Sequence, residues 1–142
     1  MQHLQRRRAV VAALAFAAAA GFAACADDSA LAPADVAGSW TGATSQNQPV
    51  TLTVTNEGVS EGSFSYQMQG VCTFTATAVI TTQEVLPIDG ASFTTGKTQI
   101  GYDTFLTASG KFSSPTAATG TLTIAHGPCR DTLELTWHAA KH

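Results

Sequence analysis

The 142-residue chain carries little charge and few cations. Charged side chains make up 12% of it, and ten carboxylates outnumber the four cations that follow residue 24, which are Lys97, Lys111, Arg130 and Lys141. A protein that binds nucleic acid needs clustered Lys and Arg to neutralise phosphates, and these four are scattered along the sequence. We therefore expect no nucleic-acid partner.

The common catalytic motifs are also missing. The sequence has no Gly-x-Ser-x-Gly turn for a nucleophilic serine, no His-Glu-x-x-His zinc pair and no glycine-rich phosphate loop. Most of the carboxylates fall at predicted turns or on outward strand faces: Glu57, Glu61, Glu84, Asp89, Asp103, Asp131 and Glu134. Because a solvated side chain is ordinary there, no two of them stand out as an acid and a base. We predict a protein that is not an enzyme and that uses no cofactor.

Potential metal ligands are few. His126 and Cys129 have the two-residue gap of a metal pair, but a zinc site needs three or four ligands. His138 falls on the outward parity of the last predicted strand, and His142 is the last residue of the sequence. We therefore predict no metal site.

Long apolar runs are absent apart from one near the start. Arg6, Arg7 and Arg8 precede an apolar run from residue 9 to residue 24. A basic segment followed by a short apolar one is typical of a secretory signal helix, and sixteen residues are too few for a comfortable membrane span. We expect residues 1–24 to be removed during export.

The residues at the end of this run carry a family resemblance. Phe22-Ala23-Ala24-Cys25 resembles the lipobox of bacterial lipoproteins. That resemblance implies that Cys25 is acylated, becomes the new N-terminus and anchors the protein in the bacterial cell envelope, on the periplasmic face or at the cell surface. The alternative is a conventional signal peptidase cutting around Ala24-Cys25-Ala26, which would release a soluble protein.

What remains after the leader is predicted to be a tether, residues 25–35, and one all-β domain, residues 36–142. The remainder is rich in threonine (21) and serine (10), and Val50, Leu52 and Val54 alternate strictly with threonines. This composition and this period favour strands. About eight or nine short strands separated by turn signals predict an antiparallel β-sandwich or a small β-barrel. A change of parity near Phe105 and Leu106 predicts a bulge or a strand crossing.

The cysteine count is three, and assigning Cys25 to lipid leaves Cys72 and Cys129. In an exported and oxidising compartment, such a pair favours a disulfide. The alternative is a reactive thiol, but the sequence places no helix N-terminus or cationic cluster beside either cysteine to activate it.

Aromatic residues are the best candidates for a binding surface. Trp137 and Tyr66 share parity with apolar neighbours, which predicts that both lie in the core. Trp40 and Tyr102 are flanked by glycine and could line a groove or a barrel mouth. We therefore take Trp40 and Tyr102 as candidate ligand-binding residues.

Two further resemblances concern the domain. Gly38-Ser39-Trp40-Thr41-Gly42 and residues 61–66 resemble strands of lipocalin-like and avidin-like barrels, and residues 110–122, Cys129 and residues 136–139 are similar to uncharacterised exported bacterial β-domains. The second resemblance implies no known activity. The first suggests a lipocalin-like carrier of a small hydrophobic ligand, and an inhibitor of an exported hydrolase is another alternative. The leading hypothesis is a lipid-anchored, non-catalytic domain that binds a small molecule, a glycan or an envelope protein, or that has a structural role at the surface.

Overall fold

The computed structural model describes residues 31–142, apart from the side chains of residues 82–84. The predicted signal helix, Cys25 and most of the tether lie outside these residues. The described part contains one short helix, nine strands and a single 3-10 turn. Their bounds are α1 Pro33–Val36, β1 Gly38–Thr44, β2 Pro49–Thr55, β3 Gly58–Met68, β4 Phe74–Leu86, β5 Ser92–Thr94, β6 Thr98–Gly101, β7 Thr104–Ser114, β8 Ala117–His126, the turn Gly127–Cys129, and β9 Asp131–Lys141. Within residues 31–142 no helix has the length and apolar character needed to cross a membrane.

The nine strands form one antiparallel sheet in the order β4-β3-β2-β1-β9-β8-β7, with β5 and β6 both paired to the far side of β7. Strands β1 to β4 pair in chain order, as do β7 to β9, and β9 returns to pair with β1. The sheet curls into a half-barrel, which confirms the predicted all-β antiparallel fold. It is one curled sheet rather than two stacked sheets, and its unpaired edges are β4 and the β5–β6 pair.

Strand β2 shows why the sequence folds this way. Val50, Leu52 and Val54 are at most 3% exposed, whereas the threonines between them face solvent. Apolar residues at every second position give one buried face, and β-branched threonine suits the solvated face of a pleated sheet. The same alternation recurs in β7, β8 and β9.

Aromatic rings fill the centre of the half-barrel. Ring centroids lie 5.1 Å apart for Trp40 and Phe112, 5.7 Å for Phe64 and Trp137, and 6.2 Å for Phe93 and Trp137. Offset and edge-on contacts of this kind add about 0.5–1.5 kcal/mol per pair beyond the area buried. The gap left between β3, β4 and β5 holds about 200 Å³ of atom-free space, none of it wide enough for a water molecule.

The domain begins before residue 36, the predicted boundary. Leu31 packs against the core, Val36 is fully buried, and the Lys141 ammonium donates to the Asp35 carbonyl oxygen at 3.2 Å. The indole N–H of Trp40 donates to the Val36 carbonyl oxygen at 2.9 Å, so the start of the domain is fastened to β1. The predicted tether is therefore shorter than residues 25–35.

The bulge predicted near Phe105 and Leu106 is present on the partner strand, where the register shifts between Gln99 and Gly101, opposite Phe105 and Thr104. Residues 98–114 form two strands, β6 and β7, which pair with each other around a tight turn at Tyr102 and Asp103. Asp103 has a left-handed φ of 46°, a conformation that Asp tolerates in turns because its short side chain can bond locally. The tight turn and the register shift both fall within the run in which the sequence shows a change of parity.

Candidate functional site

A groove of about 390 Å³ lies at one end of the half-barrel, where the edges β4 and β6 approach each other without pairing. It is lined by aromatic, small apolar and hydroxyl-bearing residues with no charged side chain among them: Tyr66, Phe74, Ala76, Thr77, Ile100, Gly101, Tyr102, Thr104, His126 and Pro128. Small-ligand sites are concave and combine aromatic and apolar side chains with a few polar groups, and this groove offers both kinds of side chain. We take this groove as the candidate functional site.

Phe74 is the centre of an aromatic wall in this groove. Its ring centroid lies 6.4 Å from that of Tyr66 and 5.2 Å from that of His126. His126 Nδ1 accepts a hydrogen bond of 3.2 Å from the backbone N–H of Cys129. An imidazole that accepts at Nδ1 and is neutral carries its proton on Nε2, so His126 retains one donor for another partner.

The Cys72–Cys129 disulfide holds this wall in place. The two Cα atoms are 5.6 Å apart, and the bridge joins the loop before β4 to the 3-10 turn after β8. Phe74 follows Cys72 by two residues and His126 precedes Cys129 by three, so the bridge holds these two tilted, touching rings close to each other. The predicted disulfide is confirmed, and a half-cystine at Cys129 cannot supply the thiolate that a metal site would need.

A metal centre finds no support elsewhere in the described part of the chain. Leaving aside the side chains of residues 82–84, residues 31–142 contain no group of three or more His, Cys, Asp or Glu side chains placed to share an ion. His138 is exposed on β9, as its parity predicts. The His142 ring forms a hydrogen bond with the Thr41 hydroxyl, far along the chain but adjacent in space.

The Tyr66 hydroxyl is available to a ligand. Only 4% of the Tyr66 side chain is exposed, and burial raises the pKa of its phenol above the usual 10. The hydroxyl makes no hydrogen bond with any described side chain or backbone group, yet every fully buried side-chain nitrogen or oxygen among the described residues has a partner. The hydroxyl must therefore reach the water of the groove that Tyr66 lines.

The turns at Asp103 and Gly127 form the side of the groove opposite Phe74, and a hydrogen bond joins them. The backbone N–H of Gly127 donates to the Asp103 carbonyl oxygen at 2.8 Å. A Cβ atom at Gly127 would lie only 1.9 Å from the Asp103 carboxylate, so this close contact requires glycine. Tyr102, which precedes Asp103, lies at the rim of the groove with 89% of its surface exposed. The structure thus places one of the two predicted ligand-binding residues at the groove.

Trp40, the other predicted residue, lies elsewhere. It is fully buried, packs on Phe112 and is bonded to Val36, so it is a core residue and does not line the groove. Its flanking glycines serve the packing of β1 rather than an open mouth, since a Cβ at Gly42 would lie 1.8 Å from the His138 carbonyl oxygen. The structure therefore does not bring Trp40 and Tyr102 together.

A smaller depression of about 290 Å³ adjoins the groove and shares His126. Its lining includes two cations and two carboxylates, namely Lys97, Arg130, Asp103 and Asp131. The Lys97 ammonium lies 4.2 Å from the centroid of the Phe105 ring, a cation–π contact. The charge at this end of the molecule thus lies beside the neutral groove and not within it.

Comparison of the chain with protein-family models finds no match, and comparison with curated proteins likewise finds none.

Proposed function

We propose that this protein is an exported β-domain, anchored in the bacterial cell envelope through a lipid on Cys25, which binds a ligand without chemical change in the groove between β4 and β6. The observation that carries the proposal is the groove itself. It combines an aromatic wall, a free phenol and a neutral lining with two sheet edges that do not pair.

The leader and the cysteines support the proposed export and lipid anchoring. Residues 6–25 have the basic, apolar and small-residue pattern of a lipoprotein signal, although they lie outside the described residues. A disulfide is stable in an oxidising compartment and is rare in the bacterial cytosol. Export explains both features together.

The groove is placed far from the anchoring end. Strand β9 runs from Asp131, beside the groove, to Lys141, which pairs with Trp40 next to α1. Eleven residues of strand extend up to about 35 Å. Cys25 precedes Leu31 by six positions, which span at most about 20 Å. A lipid on Cys25 would therefore keep α1 close to the bilayer and present the groove to the opposite side.

The packed centre of the half-barrel gives no support to a carrier that encloses its ligand. Trp40, Phe64, Phe93, Phe112 and Trp137 occupy the space where an enclosed ligand would lie. The groove lies outside this core, so binding there does not require the core to open.

Intact mass of the protein extracted from membranes tests the anchor. We expect a chain that begins at Cys25, carries a diacylglycerol thioether and has lost two hydrogens at Cys72 and Cys129. An unlipidated chain in the soluble fraction would refute the anchor and leave the groove proposal unaffected.

The neutral dye Nile red tests the groove. We expect its fluorescence to rise with the native protein and not with Gly101→Phe. A Cβ atom at Gly101, which lines the groove, would contact only Thr104, at 3.7 Å, so the position admits a side chain that occupies the groove. Val71→Ala is the matched control, since Val71 is 87% exposed at the same end and does not line the groove. Equal fluorescence with native protein and Gly101→Phe would refute the groove as a binding site.

A further inference from the structure

We infer that the groove binds a neutral saccharide, one pyranose ring stacking on the aromatic wall or on Tyr102. This inference rests on the proposed function and adds the chemical class of the ligand. It draws on three properties of the groove: its charge, its polar groups and its width.

The charge of the lining excludes ionic ligands. None of the ten residues that line the groove is Asp, Glu, Lys or Arg. An anionic or cationic ligand would lose hydration on entering and gain no countercharge there. The charged side chains at this end line the neighbouring depression and not the groove: Lys97, Arg130, Asp103 and Asp131.

The polar groups suit hydroxyls better than a hydrocarbon. Tyr66 can donate and accept, neutral His126 can donate from Nε2, and the Thr104 hydroxyl, which already donates to the Tyr102 carbonyl oxygen at 3.0 Å, can still accept. An acyl chain would cover these groups and leave them without partners. A sugar offers several hydroxyls, each able to donate and accept, together with an apolar C–H face that packs on an aromatic ring.

The width of the groove argues against an extended peptide. A strand inserted between β4 and β6 would need two strand spacings, about 9.6 Å between the flanking strands. Cα atoms of β4 and β6 approach within 8 Å of each other. The β4 and β6 edges are thus too close for a third strand to pair with both. A pyranose ring lying against Phe74 or Tyr102 needs no such pairing, only the open space of the groove.

Titration of the mature protein, purified after the cell has processed it and followed by amide and methyl NMR, tests this inference. The probes are maltotriose, N,N′-diacetylchitobiose, p-cresol and acetyl-trivaline amide. We expect at least one saccharide to give saturable shifts at Ala76, Ile100 and Tyr102. Tyr102→Ala should weaken that binding about tenfold through loss of one ring contact, and Gly101→Phe should abolish it. Val71→Ala should change neither.

The outcomes separate the two proposals. If Nile red and p-cresol bind in the groove but neither saccharide shifts any groove resonance, the saccharide inference is overturned and the proposed function stands. Shifts with the peptide along β4 and none with the saccharides would replace the sugar with a peptide ligand. If no probe, dye included, responds to Gly101→Phe, both proposals fail.

Discussion

The half-barrel has two places where strands distant in sequence meet, and they differ sharply. At the first, β1 and β9 pair along five residues of each strand and the sheet is continuous. At the second, β4 and β6 come close without pairing, and a groove remains. Two glycines mark the difference, because Gly42 lies against the backbone of β9 while Gly101 faces open space beside Thr104. The closed junction contributes stability, and the open one leaves surface for a ligand.

The largest predicted effect compares these two glycines. Gly42→Val places a Cβ on the His138 carbonyl oxygen and should separate β1 from β9, so we expect a loss above about 3 kcal/mol or failure to fold. Gly101→Ala should change the free energy of unfolding by no more than about 0.5 kcal/mol. Urea unfolding measures both. Similar losses at the two positions would contradict the contrast between the junctions.

The two aromatic residues selected from the sequence should differ almost as much. Trp40→Ala removes a fully buried ring and its bond to Val36, so we expect a loss of about 3–5 kcal/mol. Tyr102→Ala should cost less than about 0.5 kcal/mol because 89% of the side chain is exposed. Thermal unfolding followed by circular dichroism would show this. A large loss for Tyr102→Ala would mean that its turn supports the fold.

The disulfide stabilises the open junction between β4 and β6, where no backbone hydrogen bonds join the strands as they do between β1 and β9. Replacing both Cys72 and Cys129 with Ser should lower the free energy of unfolding by about 2–4 kcal/mol. It should also weaken Nile red binding, because Phe74 and His126 lose their fixed spacing. Reduction of the native protein should reproduce the effect. An unchanged unfolding midpoint would show that ring packing alone holds this end.

The smallest predicted effect is a pH dependence from Tyr66. Burial raises the pKa of its phenol in the folded state, so the unfolded chain loses that proton first as pH rises. The stabilisation is complete below about pH 10 and is lost as pH rises through the folded pKa. Tyr66→Phe should remove this fall, whereas Tyr102→Phe should keep it. Urea unfolding at several pH values between 8 and 11 would detect the difference, and parallel curves for native protein and Tyr66→Phe would contradict it.

Sequence patterns predicted what depends on local alternation. The strands around Val50 and Leu135 and the burial of Trp137 and Tyr66 followed from parity. The Cys72–Cys129 bridge followed from the pair of cysteines that remains once Cys25 is assigned to lipid. The strands and buried rings depend on neighbours in the chain, and the bridge depends only on the tendency of two cysteines to pair in an oxidising compartment. Local pattern is therefore informative for most of the sheet.

The groove could not be predicted in the same way. Which strands become edges depends on the pairing of β9 with β1, a contact between the two ends of the chain. Phe74 has the parity of a core residue, and only its position on an edge strand turns it towards a groove. Trp40 has glycine neighbours in the sequence like Tyr102, but the glycines beside it admit a neighbouring strand. Two signals were available: Gly101 beside Tyr102, and the position of His126 three residues before Cys129 once the disulfide was assigned.

Intermolecular nuclear Overhauser effects between bound p-cresol and the protein methyl groups would test most directly whether the open junction is the binding site. We expect cross-peaks from the ring protons to the methyl groups of Ala76 and Ile100, and their loss in Gly101→Phe. Cross-peaks to Val79, which is 59% exposed on the outer face of β4, that persist in Gly101→Phe would contradict the assignment of function to the groove.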